Sequence, residues 1–228
     1  MENNKPTYEG AINTTIQTTF FGKVMIFFSA AMLLSSAGVF IGAKYLMEIF
    51  LTKPFLMFAL FIVEIALIWT SRRWSQTRPL NFILFTAFAI ISGITAAPLI
   101  GIVASTPQGM ILLYKALGAT GLMFTASAII GATTKRDLSS MAGFLMMALI
   151  GMIIVGVIGM FVPWGSTFEM VFSGIGIIVF SAFTAYDFQM IKRYPENRYM
   201  EAAIHLYLDI FNLFLFILRM LLALNGRD

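Results

Sequence analysis

Seven stretches of nearly continuous apolar residues run along the chain, each separated from the next by a short polar, basic or proline-containing break. They cover residues 24–43, 54–70, 80–104, 110–133, 140–162, 168–187 and 202–224. A helix needs about 20 mostly apolar residues to cross the hydrocarbon core of a bilayer, so each stretch is of spanning length. The pattern predicts an all-α membrane protein, a bundle of seven transmembrane helices. Residues 1–22 are polar at first and rich in Thr and Asn, and they lack the basic start, apolar run and cleavage site of a signal peptide. They are expected to form a solvated tail on a single transmembrane domain, residues 23–228. In the fifth stretch, Gly151, Gly156 and Gly159 are placed to let another helix approach closely.

Composition supports this class and narrows the functions. The chain is 59% hydrophobic and 11% charged, far from the balance of a soluble domain. The breaks between spans are too short to hold one. With no cysteine, thiol nucleophiles, thiolate metal sites and disulfides are excluded. The sequence has no phosphate-binding Walker loop, no dinucleotide glycine fingerprint and no His-Glu-x-x-His zinc signature. The excess of basic residues sits in the loops, which fits membrane topology and not nucleic acid.

Loop charge sets an expected orientation. The side of the N-terminus carries ten basic residues, among them Arg72, Arg73, Lys135, Arg136, Lys192 and Arg193. The other side carries three, Lys44, Lys53 and Arg227, or five with the span-end residues Lys115 and Arg219. The positive-inside rule places the N-terminus in the cytoplasm and, after seven crossings, the C-terminus outside.

Against this apolar background a few ionisable residues stand out, because such groups inside a bilayer are costly and face protein or water. Asp187 lies near the inner end of the sixth span, and Asp209 is eight residues into the seventh, roughly 12 Å along the helix axis. Glu64 sits at a similar depth in the second span, eight residues before Arg72. At about 100° per residue, His205, Asp209, Asn212 and Arg219 share one stripe of the seventh helix. Two carboxyl groups in one low-dielectric site resist being ionised together and titrate as a unit, so Asp187 and Asp209 form a candidate proton sensor and gate. The quieter alternatives are that each aspartate caps a neighbouring helix, that Glu64 is a buried hydrogen-bond acceptor, and that Arg72 and Arg73 only anchor topology. His205 reads as an interfacial residue, with no second histidine to make a metal site.

The pairing of TAYDFQMIKR (184–193) with HLYLDIFNLFLFILR (205–219) resembles the signature of the Bax inhibitor-1 family, the transmembrane Bax-inhibitor-motif proteins, in a bacterial form. The resemblance extends to SGIT (92–95) with Pro98, and to residues 116–139. It implies a seven-helix fold with the seventh helix central, the bacterial plasma (inner) membrane, and a pH-sensitive calcium leak gated by an aspartate pair that matches Asp187 and Asp209. It implies an arginine latch on that pair, with Arg72 the nearer counterpart and Arg73 the alternative. Glu64 matches an acidic position of the family. Calcium is then the permeant ion and no cofactor is tightly bound. Asp187, Asp209 and Glu64, helped by Asn212 and water, would make a weak calcium site, since calcium takes six to eight oxygens. A regulator of a membrane protease or of a stress or cell-death pathway is the alternative. Enzymatic activity is not expected: the Gly-x-Gly-Asp context of intramembrane aspartyl proteases is absent from both aspartates.

Overall fold

A computed structural model describes residues 8–159, 161–162 and 164–226, with side chains from residue 19 onward, Pro54 excepted. Among these residues the chain is helical without strands, and seven helical stretches are long and apolar enough to cross a membrane. We label the helices α1 (Tyr8–Ile41), α2 (Pro54–Trp74), α3 (Leu80–Ala104), α4 (Pro107–Thr133), α5 (Ala142–Gly159), α6 (Ser166–Met190) and α7 (Tyr199–Asn225).

The first span is longer than its apolar run. Of the expected tail, residues 1–7 lie outside the described residues, and from Tyr8 the chain is already helix, entering the first span without a break. Beyond Ile41 the span passes through a π-helical turn, Gly42–Leu46, and a further helical segment, Met47–Thr52. Lys44 does not end it, because its ammonium lies over the rings of Phe40 and Tyr45, 5.4 and 5.3 Å from their centroids. The expected ends of the fifth span at Pro163 and of the chain at Arg227 lie outside the described residues.

Helix α7 is central. It packs on α6, α1 and α4 and touches α2, and Met200, Leu206, Leu213 and Leu218 are among its fully buried side chains. The outer faces carry exposed apolar residues such as Leu33, Trp69, Leu122 and Ile178, the surface that lipid covers. Helix α5 packs mainly on α6. Its glycines do not serve the close contact expected of them: a Cβ at Gly151 or Gly156 would meet nothing, and at Gly159 only the Trp164 side chain. The close approaches lie elsewhere. Gly38 and Gly93 bring the backbones of α1 and α3 together, and Gly131 brings α4 against the backbone of α6 at Ala185.

The helix ends follow local chemistry. Thr106 caps α4 by accepting a hydrogen bond from the Gly109 N–H at 3.1 Å, and Pro107 follows at the first helical position, where its missing N–H costs nothing. Thr106→Ala is expected to lower stability by about 1 kcal/mol. A melting curve in detergent indistinguishable from wild type would contradict this. The α4–α5 connection is tied to the end of α6: Gln189 accepts from the Leu138 N–H and donates to the Arg136 carbonyl, both at 2.8 Å, and Lys192 donates to the Ala132 carbonyl at 2.9 Å. Asp137 accepts from the Ser139 N–H, which holds its carboxyl below the usual range, and pairs with Arg193 at 3.4 Å. These ties brace the turn of α6 that carries Asp187.

Candidate functional site: a buried carboxyl pair between α6 and α7

Asp187 sits in the last turn of α6 and Asp209 in the first half of α7, both buried. The helices face each other along small and polar stripes, Ser173, Gly176, Thr184 and Asp187 on α6, and His205, Asp209 and Asn212 on α7. Their packing brings the two carboxyl groups close enough to share a hydrogen bond when one of them is protonated. One Asp209 oxygen, Oδ2, is buried with no hydrogen-bond partner. Among the described residues no lysine or arginine lies within 4.0 Å of either carboxyl.

The nearby hydroxyl and amide groups do not solvate the pair. Thr184 donates to the Phe180 carbonyl and Asn212 to the Leu208 carbonyl, each at 2.8 Å and each one turn back along its own helix. His205 does take part: its Nδ1 is 3.7 Å from Asp187 Oδ2, and its side chain is 39% exposed. Asp187 therefore lies between Asp209, one turn further along α7, and an imidazole that reaches the surface.

The arginine latch is built differently from the expectation. Arg72 pairs with Glu201, not with the aspartates, through Nε–Oε1 at 3.3 Å, and its side chain is 78% exposed. Arg73 is exposed and makes no ion pair among the described residues. Glu201 itself is fully buried in the first turn of α7. Arg198 grips it with a two-pronged fork, Nε–Oε2 at 2.7 Å and Nη2–Oε1 at 2.6 Å. Tyr194 stands beside this clamp under the Arg198 guanidinium, 5.6 Å from its ring centroid; burial foremost, then the Asp187 and Glu201 charges, push its phenol well up. Glu201 was not singled out in the sequence because it precedes the apolar run, although Arg198-x-x-Glu201 is the i, i+3 spacing of a helix-start ion pair.

Glu64 is also placed away from the pair. It accepts hydrogen bonds from the hydroxyls of Ser92 and Thr95 on α3, and this buried cluster extends to Tyr207 of α7 with Ser35 and Ser92 beside its phenol. Tyr207 and Asp209 are two residues apart, about 200° around the helix, so α7 holds the two clusters on opposite faces. The expected site of Asp187, Asp209 and Glu64 is not assembled, and among the described residues no three His, Asp or Glu side chains converge as metal ligands.

At the other end of the bundle, a cavity of roughly 490 Å³ opens between the start of α6 and the end of α7. Glu169, Phe172, Trp164 and Arg219 are among its lining residues. Arg219, the last polar member of the α7 stripe, is half-buried there.

Comparison with known proteins accords with this architecture. Residues 17–227 match the family described as inhibitor of apoptosis-promoting Bax1. A Helicobacter pylori protein is 31% identical over 222 residues, 97% of this chain and 91% of its own. An Arabidopsis thaliana BI1-like protein is 31% identical over 207 residues, covering 89% and 79%. A Vibrio cholerae protein described as a membrane protein is 36% identical over 142 residues, covering 62% and 63%. With the match running from α1 to the end of α7 and including both aspartates, the chain belongs to the Bax inhibitor-1 family of integral membrane proteins.

Proposed function

We propose that the protein passes cations across the membrane along the α6–α7 seam, with calcium as the permeant ion, under control of the Asp187–Asp209 pair. The observation that carries this reading is two buried carboxyl groups, from different helices, set against each other with no lysine or arginine within 4.0 Å among the described residues and His205 beside Asp187. Such a pair is stable when it shares a proton or when a cation takes the proton's place. With one proton between them, the hydrogen bond ties α6 to α7. With both ionised, repulsion loosens the seam and the oxygens attract a cation. His205, 3.7 Å from Asp187 and partly exposed, links the pair to the surface and is the group through which protons arrive. Two carboxyls and water fall short of the oxygen shell that calcium prefers, which suits an ion that enters and leaves. Calcium rather than another cation is what the family resemblance implies, and loop charge orients the pair toward the cytoplasm of a bacterial inner membrane.

Calcium flux into proteoliposomes across a pH series tests the reading. Wild type is expected to show a pH-dependent rate, and Asp187→Asn and Asp209→Asn a changed pH dependence, because neither variant can share a proton between two carboxyls. A profile unchanged in both variants would sink the pair as sensor. Absence of flux under every condition would favour a second reading, a non-channel regulator of a membrane protein or stress pathway, which the family's description as an inhibitor supports. Co-purification of a membrane partner from native membranes would then be expected.

A further inference from the structure

The α6 and α7 stripes that meet at the carboxyl pair run on to the cavity at the far end of the seam. On α6 the order from the cavity is Glu169, Phe172, Gly176, Phe180, Thr184, Asp187; on α7 it is Arg219, Phe216, Asn212, Asp209. Each step is three or four residues, so each series stays on one helix face. Charged groups stand at both ends of this line, and aromatic rings fill its middle. Phe216 stacks on Phe180, with centroids 5.7 Å apart and planes at 24°, and meets Phe172 edge-on at the same distance. Phe172 also lines the cavity. The Phe216 ring is seated on Gly176, where a Cβ would collide with three of its carbons. The ring thus occupies space left by a missing side chain, two helical turns or about 10.5 Å from Asp209. One position along from Phe172, the Ser173 hydroxyl is fully buried with no hydrogen-bond partner, a polar group that water would satisfy if the seam opened.

We propose that Phe216, seated on Gly176 between Phe172 and Phe180, is an apolar gate that separates the Arg219–Glu169 cavity from the Asp187–Asp209 pair. A ring lodged over a glycine can swing away without any backbone shift in α6, and the gap it leaves joins the cavity to the acidic end. While the ring is seated, the constriction is dry and excludes hydrated ions. The gate rests on the ion-passage reading for its purpose, but its existence is a matter of water access and is measured separately.

The chain has no cysteine, so single thiols report access cleanly. Thr184→Cys places one between the rings and the carboxyl pair, at a fully buried position. In full-length protein reconstituted in liposomes, this thiol is expected to react slowly with a membrane-impermeant maleimide. Adding Phe216→Ala is expected to speed labelling by roughly an order of magnitude, as opening an apolar constriction admits water. Phe216→Leu, which keeps most of the apolar volume and is the fallback if the alanine variant does not fold, should give an intermediate rate. Labelling unchanged in the folded variants would overturn the gate. Calcium flux is read on the same preparations: faster flux in Phe216→Ala supports gate and passage together. Faster labelling with no flux in any variant leaves the gate standing and removes the ion-passage reading.

Discussion

Arg198→Ala is expected to destabilise the folded protein by about 3–5 kcal/mol, the cost of leaving a buried charge without its partner. Glu201 is fully buried, and Arg198 supplies two of its three ionic hydrogen bonds at 2.6 and 2.7 Å. The remaining partner, Arg72, reaches it through a single 3.3 Å contact from a side chain that is 78% exposed. Solvent screens that contact and side-chain entropy opposes it, so Arg72→Ala is expected to cost no more than about 1 kcal/mol. The asymmetry is the test: thermal or SDS titration in detergent should rank the two arginines far apart, and equal losses would contradict the assigned clamp. Arg198→Ala combined with Glu201→Gln should recover part of the loss, because the neutral amide removes the stranded charge.

Gly93→Ala is expected to lower stability by about 1–3 kcal/mol or more, through overpacking against backbone that no rotamer change can relieve. The added methyl would run into the Ser35 carbonyl and the Val39 amide, while Gly38 on the facing helix has its own collision waiting at the Ile90 carbonyl. Helices α1 and α3 would have to move apart along the most extensive helix contact in the bundle. Gly151→Ala is the internal control. Nothing lies within 4 Å of its Cβ position, so the substitution is expected to be neutral or to gain up to about 1 kcal/mol of helix propensity. Loss of monodisperse protein on size exclusion for both variants, or for neither, would mean that the close approaches are assigned wrongly.

The contrast between these two glycines shows why part of the fold was legible and part was not. Apolar length is a property of a segment, so the spans could be read directly, and their edges moved only where a side chain such as Lys44 could reach out along a ring. Glycine spacing in α5 looks like a packing motif in the sequence, but whether a glycine meets another backbone depends on which face its helix turns to a neighbour. The same holds for charge. The α7 stripe correctly aligned His205 and Asp209, since helical phase is local. The family resemblance and depth together point Arg72 at the aspartates, and depth does not distinguish Asp187 from Glu201 when both lie at the same end of the bundle.

Sequence by itself determined that this chain lives in a membrane, that it has seven spans, and that Asp187 and Asp209 are the ionisable groups a bilayer would not tolerate without a reason. These follow from hydropathy, helix rise and the cost of buried charge, none of which needs a partner segment. Only the tertiary structure decided who meets whom. It put the two aspartates in contact, gave Asp187 a histidine, sent Arg72 to Glu201, and placed Glu64 with Ser92 and Thr95 on the opposite side of α7. The reason is angular: two positions on one helix two residues apart face opposite ways, and which neighbours stand there is set by the packing of helices distant in sequence.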